Sequence, residues 1–160
     1  MDYIWTPWRY QYIKDSKRTS SCVFCDIAAS NEDENNLVVH RAQANYIVLN
    51  RFPYTSGHAM VIPYQHVATL EEAQPGVLDE MMSLTRRLEG VLRKLYRPSG
   101  LNIGMNIGEA AGAGVAGHIH MHVLPRWVAD SNFMGVISET RILPEELSET
   151  WARLRAGLET

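Results

Sequence analysis

The chain has 160 residues, 46% apolar and 21% charged, with 11 Gly and 7 Pro; this is the composition of one globular domain and excludes disordered, collagen-like and low-complexity classes. A net charge of −3 offers no basic footprint for nucleic acid or for an anionic membrane, although a small phosphate-bearing ligand can be held by local donors. Two cysteines make no disulfide framework, no apolar run reaches the roughly 18 residues of a membrane span, and Met1-Asp2-Tyr3-Ile4-Trp5 lacks the regions of a signal peptide, so a cytoplasmic protein is expected.

Residues 1–21, with Trp5-Thr6-Pro7-Trp8-Arg9-Tyr10, are aromatic and basic without a clean period and read as an arm that packs on the domain or on a partner chain. The polar cluster Ser30 to Asn36 reads as a loop. Leu37 to Arg41, Tyr46 to Asn50 and His58 to Ile62 are short β-branched-rich stretches bounded by turn residues, the spacing of an antiparallel meander. From Pro75 to Tyr96 the apolar positions, Met82 among them, recur at three and four, which predicts an amphipathic helix ended by Pro98-Ser99-Gly100. Leu101 to Ile107 is strand-like, Gly108 to Gly117 is a glycine-rich loop, and His118 to Leu124 is a strand stopped by Pro125. Pro144, Glu145 and Glu146, followed by Leu147, Trp151, Leu154 and Leu158, predict a closing helix.

The chemistry concentrates in His118-Ile119-His120-Met121-His122-Val123-Leu124. A strand's period of two puts the three imidazoles on one face and turns Ile119, Met121 and Val123 to the core. Such a row can hold a metal, exchange protons, or attack through a neutral imidazole nitrogen; a merely polar outer face is the bland alternative. The glycines Gly108, Gly112, Gly114 and Gly117 allow backbone N–H groups to converge on anionic oxygens, or form only a flexible turn.

Cys22-Val23-Phe24-Cys25 has the spacing of half a zinc site, of a redox pair, or of coincidence; nothing upstream supplies the strand and helix of a thioredoxin-like fold. Two more ligands would complete a tetrahedral site, and the best donors are His66 and one histidine of the triplet. His58 opens a strand and could hold an imidazole of the triplet in one tautomer, or be satisfied by solvent. His40 has no evident companion and reads as surface.

The run His-x-His-x-His with two apolar residues after it, the glycine-rich loop before it, and Gly57-His58-Ala59-Met60-Val61-Ile62-Pro63 upstream together resemble the histidine triad (HIT) family of nucleotide hydrolases and transferases. The resemblance covers roughly residues 22–127, leaving 128–160 as a C-terminal segment and helix. It implies an α+β fold: an antiparallel sheet of about five strands with a long helix and a C-terminal helix, the sheet continued across a homodimer. It implies that His120 attacks the α-phosphate and forms a covalent nucleotidyl-histidine, that His122 contacts the phosphates and the leaving oxygen, and that His58 supports them. It implies a structural zinc on Cys22, Cys25, His66 and His118, with Mg2+ entering, if at all, on the substrate. Asn50 and Asn106 match nucleotide contacts, with Gly112 and Gly114 in the phosphate loop and a base slot near Ile27, Leu49 and Phe52.

Trp5-Thr6-Pro7-Trp8-Arg9 and Pro125-Arg126-Trp127 resemble the branch containing bacterial diadenosine tetraphosphate phosphorylases; Fhit-like hydrolases share the Pro-Arg. Gly114 and Gly117 depart from that branch, where Ser and Glu are usual. The readings are therefore a dinucleoside polyphosphate phosphorylase or hydrolase, a nucleoside phosphoramidate hydrolase, a nucleotide-binding protein with decayed catalysis, or a metalloenzyme with all three triplet histidines on one catalytic zinc. The partner in the first three is a nucleotide.

Overall fold

The computed structural model describes residues 21–130 and 145–159. The aromatic arm, Ser21 excepted, and Pro144 lie outside the described residues. The elements run α1 (Val23–Ala29), β1 (Val38–Arg41), β2 (Asn45–Leu49), β3 (Ala59–Pro63), α2 (Pro75–Tyr96), β4 (Gly100–Gly104), a 3-10 turn (Glu109–Ala111), β5 (Met121–Arg126) and α3 (Leu147–Glu159). The strands form one antiparallel sheet in the order β1-β2-β3-β5-β4, the α+β architecture expected.

Alternation along the strands makes the two layers. Ile47, Leu49, Ala59, Val61, Ile119 and Val123 pack with Met81, Leu84, Leu88 and Leu92 of α2 and with Leu154 and Leu158 of α3. On the other face Tyr46, Val48, Met60 and Ile62 meet Phe24 of the short α1. Each fully buried side chain of this kind stabilises by about 1.5–3 kcal/mol, so the sheet is held from both sides. α2 opens on Pro75 and ends where Arg97 turns left-handed at φ 44° before Pro98. Met82, counted with the apolar stripe, is 56% exposed.

Strand limits differ from the sequence reading for local reasons. β1 starts at Val38 because Leu37 is left-handed, at φ 60°. β4 ends at Gly104, so Asn106 follows the strand. β5 starts only at Met121, opposite Val61. Before it the Ile119 N–H donates to Val67 O at 2.9 Å, and the His118 ring bonds Pro63 O, so this stretch is tied to the chain just after β3. Pro125 does not stop β5: it pairs with Leu101 of β4, while β3 begins at Ala59, opposite Val123, and does not reach Pro125, so the missing N–H costs no ladder bond on that side. α1 escaped the sequence reading, being 7 residues long, too short for a helical period to register.

The two sheet edges are treated differently. At β1 the Trp151 indole N–H donates to Val38 O at 2.8 Å and α3 packs alongside. At β4, Asn102, Ile103 and Gly104 are exposed.

Candidate active site and metal centre

The turn from β3 and the approach to β5 bring His66 and His118 against the start of α1. Cys22, Cys25, His66 and His118 place one ligand atom each within 4.8 Å of one another. Cys22 Sγ lies 3.4 Å and Cys25 Sγ 3.6 Å from His118 Nδ1, and Cys25 Sγ lies 3.3 Å from His66 Nδ1. A tetrahedron with metal–sulfur bonds of about 2.3 Å and metal–nitrogen bonds of about 2.0–2.1 Å has sulfur–nitrogen edges of roughly 3.6 Å, so these donors fit one tetrahedral ion. His118 Nε2 lies 2.9 Å from Pro63 O; a carbonyl only accepts, so Nε2 carries the proton and Nδ1 turns its lone pair to the sulfurs, the outer-shell bond expected of a ligating histidine. The cluster can hold a metal ion.

Burial first, then the neighbouring Cys22, pushes the Cys25 thiol above its ordinary value. That disfavours a free thiolate and with it a redox role; a bound cation acts in the opposite direction.

His120 is wired the other way round. Its Nδ1 lies 2.9 Å from His118 O, so Nδ1 holds the proton and Nε2 presents a lone pair. His58, brought opposite β5 by the turn before β3, accepts the Tyr54 N–H at Nδ1 over 3.2 Å. Its proton is then on Nε2, which lies 2.9 Å from His122 Nδ1. A neutral His122 thus accepts at Nδ1 and carries its own proton on Nε2. The His120 and His122 rings meet edge to face at 4.8 Å, and Tyr54 lies 4.9 Å from His58.

Burial lowers the proton affinity of His118 and His120, and burial followed by the His120 neighbour lowers that of His122 to about 4. At pH 7 His120 and His122 are therefore neutral, one a base at Nε2 and the other a donor there.

Asn50 Oδ1 accepts the Phe52 N–H at 2.9 Å, which leaves Nδ2 facing His58 Nε2 at 3.5 Å. With the proton of His58 on Nε2 both are donors, so Asn50 Nδ2 has no acceptor in His58. In the glycine-rich loop the Gly112 N–H is committed to Glu109 O at 2.9 Å. The N–H groups of Gly114, Val115, Ala116 and Gly117 donate to no acceptor among the described residues, and they run straight into His118, a backbone cradle suited to anionic oxygens. A Cβ at Gly117 would meet nothing closer than His66 Nε2 at 3.8 Å, so the backbone there is not crowded against its neighbours. Asn106 is half-buried between β4 and this loop. Of the three residues read as a base slot, Ile27 packs with Phe24 on the α1 face and Phe52 is exposed, whereas Leu49 packs in the α2 layer on the opposite face. His40 is half-buried beside Arg87, 3.4 Å away.

Two residues of the site carried no sequence signal: Tyr54 acts through its backbone, and the Arg41 guanidinium donates to the carbonyls at the end of α1. Phe24 acts by packing, and its place between the two cysteines was its one signal.

The sheet, the helix pair and a run of chain into β5 that sets His118 in a cluster able to hold a metal and His120 and His122 side by side are the features of a histidine triad protein. The chain belongs to that family: residues 31–128 match the HIT domain model. It is similar to the AP-4-A phosphorylase of Mycobacterium tuberculosis, 36% identical over 94% of this chain and 84% of that protein. It is also similar to the asymmetrical bis(5'-nucleosyl)-tetraphosphatase of Schizosaccharomyces pombe, 31% identical over 73% of this chain and 60% of that one. Among solved structures, a Zn-bound histidine triad family protein from Mycobacterium smegmatis superposes with a TM-score of 0.71 at 31% identity, covering 87% of this chain and 94% of that chain.

Proposed function

We propose that this chain is an enzyme that cleaves dinucleoside polyphosphates such as diadenosine tetraphosphate, through a covalent nucleotidyl-histidine at His120. The observation that carries the reading is the hydrogen-bond pattern of two neighbouring rings, His120 Nδ1 on His118 O and His122 Nδ1 on His58 Nε2, which implies an Nε2 lone pair on His120 and an Nε2–H on His122. Nε2 of His120 attacks the α-phosphorus. The P–N bond forms as the P–O bond to the departing polyphosphate breaks, and His122 gives its Nε2 proton to the leaving oxygen. Phosphate or water then attacks the phosphorus and gives its proton to His122 Nε2, while the P–N bond breaks and its electron pair returns to His120 Nε2. The amides of Gly114 to Gly117 hold the equatorial oxygens, and Asn50 Nδ2 and Asn106 reach the nucleoside part. Mg2+ would enter only on the substrate.

Cys22, Cys25, His66 and His118 are assigned to a zinc ion; four protein ligands leave it no open position, so what it supplies is a fixed α1 and a fixed His118. A catalytic zinc on all three triplet histidines does not suit the cluster, which takes His118 alone. The open β4 edge, set against the covered β1 edge, supports a homodimer in which two sheets join. No helix among the described residues is long and apolar enough to cross a membrane, which is compatible with the cytoplasmic protein proposed here. The chain works as a single HIT unit of core 22–127, with the arm 1–21 and the segment 128–160 attached.

The test is product analysis with diadenosine tetraphosphate. ATP plus ADP in the presence of phosphate marks a phosphorylase, and ATP plus AMP in its absence a hydrolase. No turnover of any nucleotide, phosphoramidates included, overturns the proposal and leaves a binding protein.

A further inference from the structure

α1 is tied down at three points. At its start Cys22 and Cys25 meet His66 and His118. At its end the Arg41 guanidinium donates to Ala28 O at 3.0 Å, Ile27 O at 3.2 Å and Ser30 O at 2.7 Å, and is itself held by Asp33 at 2.9 Å. Between them the buried Tyr46 hydroxyl donates to Phe24 O at 2.9 Å. Phe24 is 6% exposed. Its ring lies edge-on to His118 at 5.6 Å and against His120 at 5.0 Å, tilted by 56°.

Two of the restraints on the His120 ring therefore come from the Cys22, Cys25, His66 and His118 cluster, beside the edge-to-face contact with His122. Among the described residues its one ring hydrogen bond is to the carbonyl of a cluster residue, His118, and one of its packing neighbours is the side chain between the two cysteines. A single hydrogen bond fixes a nitrogen but leaves the ring free to rock about it; a second contact on the ring is needed to fix the plane. We infer that Phe24 is a positioning residue, which transmits the filling of the Cys22, Cys25, His66 and His118 cluster to the imidazole plane of His120, so that cluster and nucleophile act as one unit. The inference rests on the nucleotidyl-transfer reading above for what the positioned ring does, and on the packing alone for the positioning itself.

The experiment compares the full chain with Phe24→Ala and Phe24→Leu, each loaded with Zn2+ and its zinc content measured. Imidazole nitrogen NMR reads the His120 tautomer, and steady-state kinetics with diadenosine tetraphosphate read kcat and KM. The zinc-loaded protein should give one His120 signal with the proton on Nδ1, and chelation should broaden or split it. Phe24→Ala should show the split signal with zinc still bound, and kcat about 10- to 100-fold lower with KM within about twofold, the cost of a misplaced reacting group. Phe24→Leu, which refills the volume without the aromatic edge, should fall between. Wild-type His120 signals and kcat in both zinc-loaded variants would overturn the inference, as would a rise in KM alone, which assigns Phe24 to nucleotide binding. If no nucleotide is turned over, the functional reading fails, and the imidazole signals still decide whether Phe24 positions His120.

Discussion

Within one run of chain, His118 and His120 are two residues apart and are used in opposite senses. His118 gives its Nε2 proton to Pro63 O and presents Nδ1 to two sulfurs; His120 gives its Nδ1 proton to His118 O and presents Nε2. A backbone carbonyl at one ring nitrogen or the other decides which nitrogen keeps its lone pair, the difference on which the proposed roles of metal ligand and nucleophile depend. His122 makes a third case, its proton placed by a histidine whose own proton is placed by the Tyr54 N–H. Residue type offers the chemistry, and the partner of the second nitrogen selects it.

The comparison breaks most sharply at its catalytic end. His120→Asn keeps a polar side chain of smaller volume and should lower turnover by roughly four orders of magnitude or more, as expected for loss of a covalent nucleophile, while nucleotide binding and zinc content remain. Single-turnover assays and equilibrium binding check this, and an active variant would remove the assignment. At the other end Cys22→Ser should empty the metal site and, as metal loss is among the few single changes with large effects, destabilise the fold by about 4 kcal/mol or more. Metal analysis and urea unfolding read the two outcomes. Full metal content in this variant would mean that the cluster is not the ligand set.

The alternation of the triplet, the helix over residues 75–96 and the meander were legible because each rests on a period that side chains impose locally. The cluster was legible in steps: Cys-x-x-Cys spacing announces a ligand pair and His66 with one triplet histidine were the best further donors, but singling out His118 came from the family resemblance, because no local rule says which imidazole the turn after β3 brings to the sulfurs. Tautomers were not legible at all, since they depend on which carbonyl or amide the fold brings to each ring. The Gly112 amide shows the same gap. Its sequence suggested a phosphate contact, whereas the 3-10 turn takes its N–H for Glu109 O. Pro125 failed as a stop signal because strand neighbours, not the residue alone, decide whether a missing N–H is costly.

Acid should act on the buried imidazoles first. His122 titrates at about 4 in the fold, below its ordinary 6.5. The folded state therefore binds fewer protons than the unfolded chain between those values. Its contribution is fully present above about pH 6.5 and is lost as pH falls toward about 4, at most about 3 kcal/mol. Burial shifts His118 and His120 in the same direction, so urea midpoints should drop between pH 7 and 5, before carboxylates are protonated. A flat midpoint across that window would mean that the rings are solvated, and the contrast between them would lose its basis.

The smallest effect is expected at the far end of β5, the strand that carries His122. Arg126 grips Asp130 with Nε at 2.6 Å and Nη2 at 2.7 Å, and Asp130 also accepts the Trp127 N–H at 3.0 Å. Those guanidinium bonds hold the Asp130 carboxyl down to about 2, so the pair's contribution is present above its ordinary value of 3.8 and is lost only as pH falls toward about 2. Because the Arg126 side chain is 42% exposed, solvent weakens the attraction, and Asp130→Asn should cost less than about 1 kcal/mol at neutral pH, with kcat unchanged. Unfolding curves at pH 7 and pH 3 and steady-state rates check both halves. A loss of kcat comparable to that in a variant of Phe24 would extend the working region past β5, because the turn after the strand would then also be setting the imidazoles.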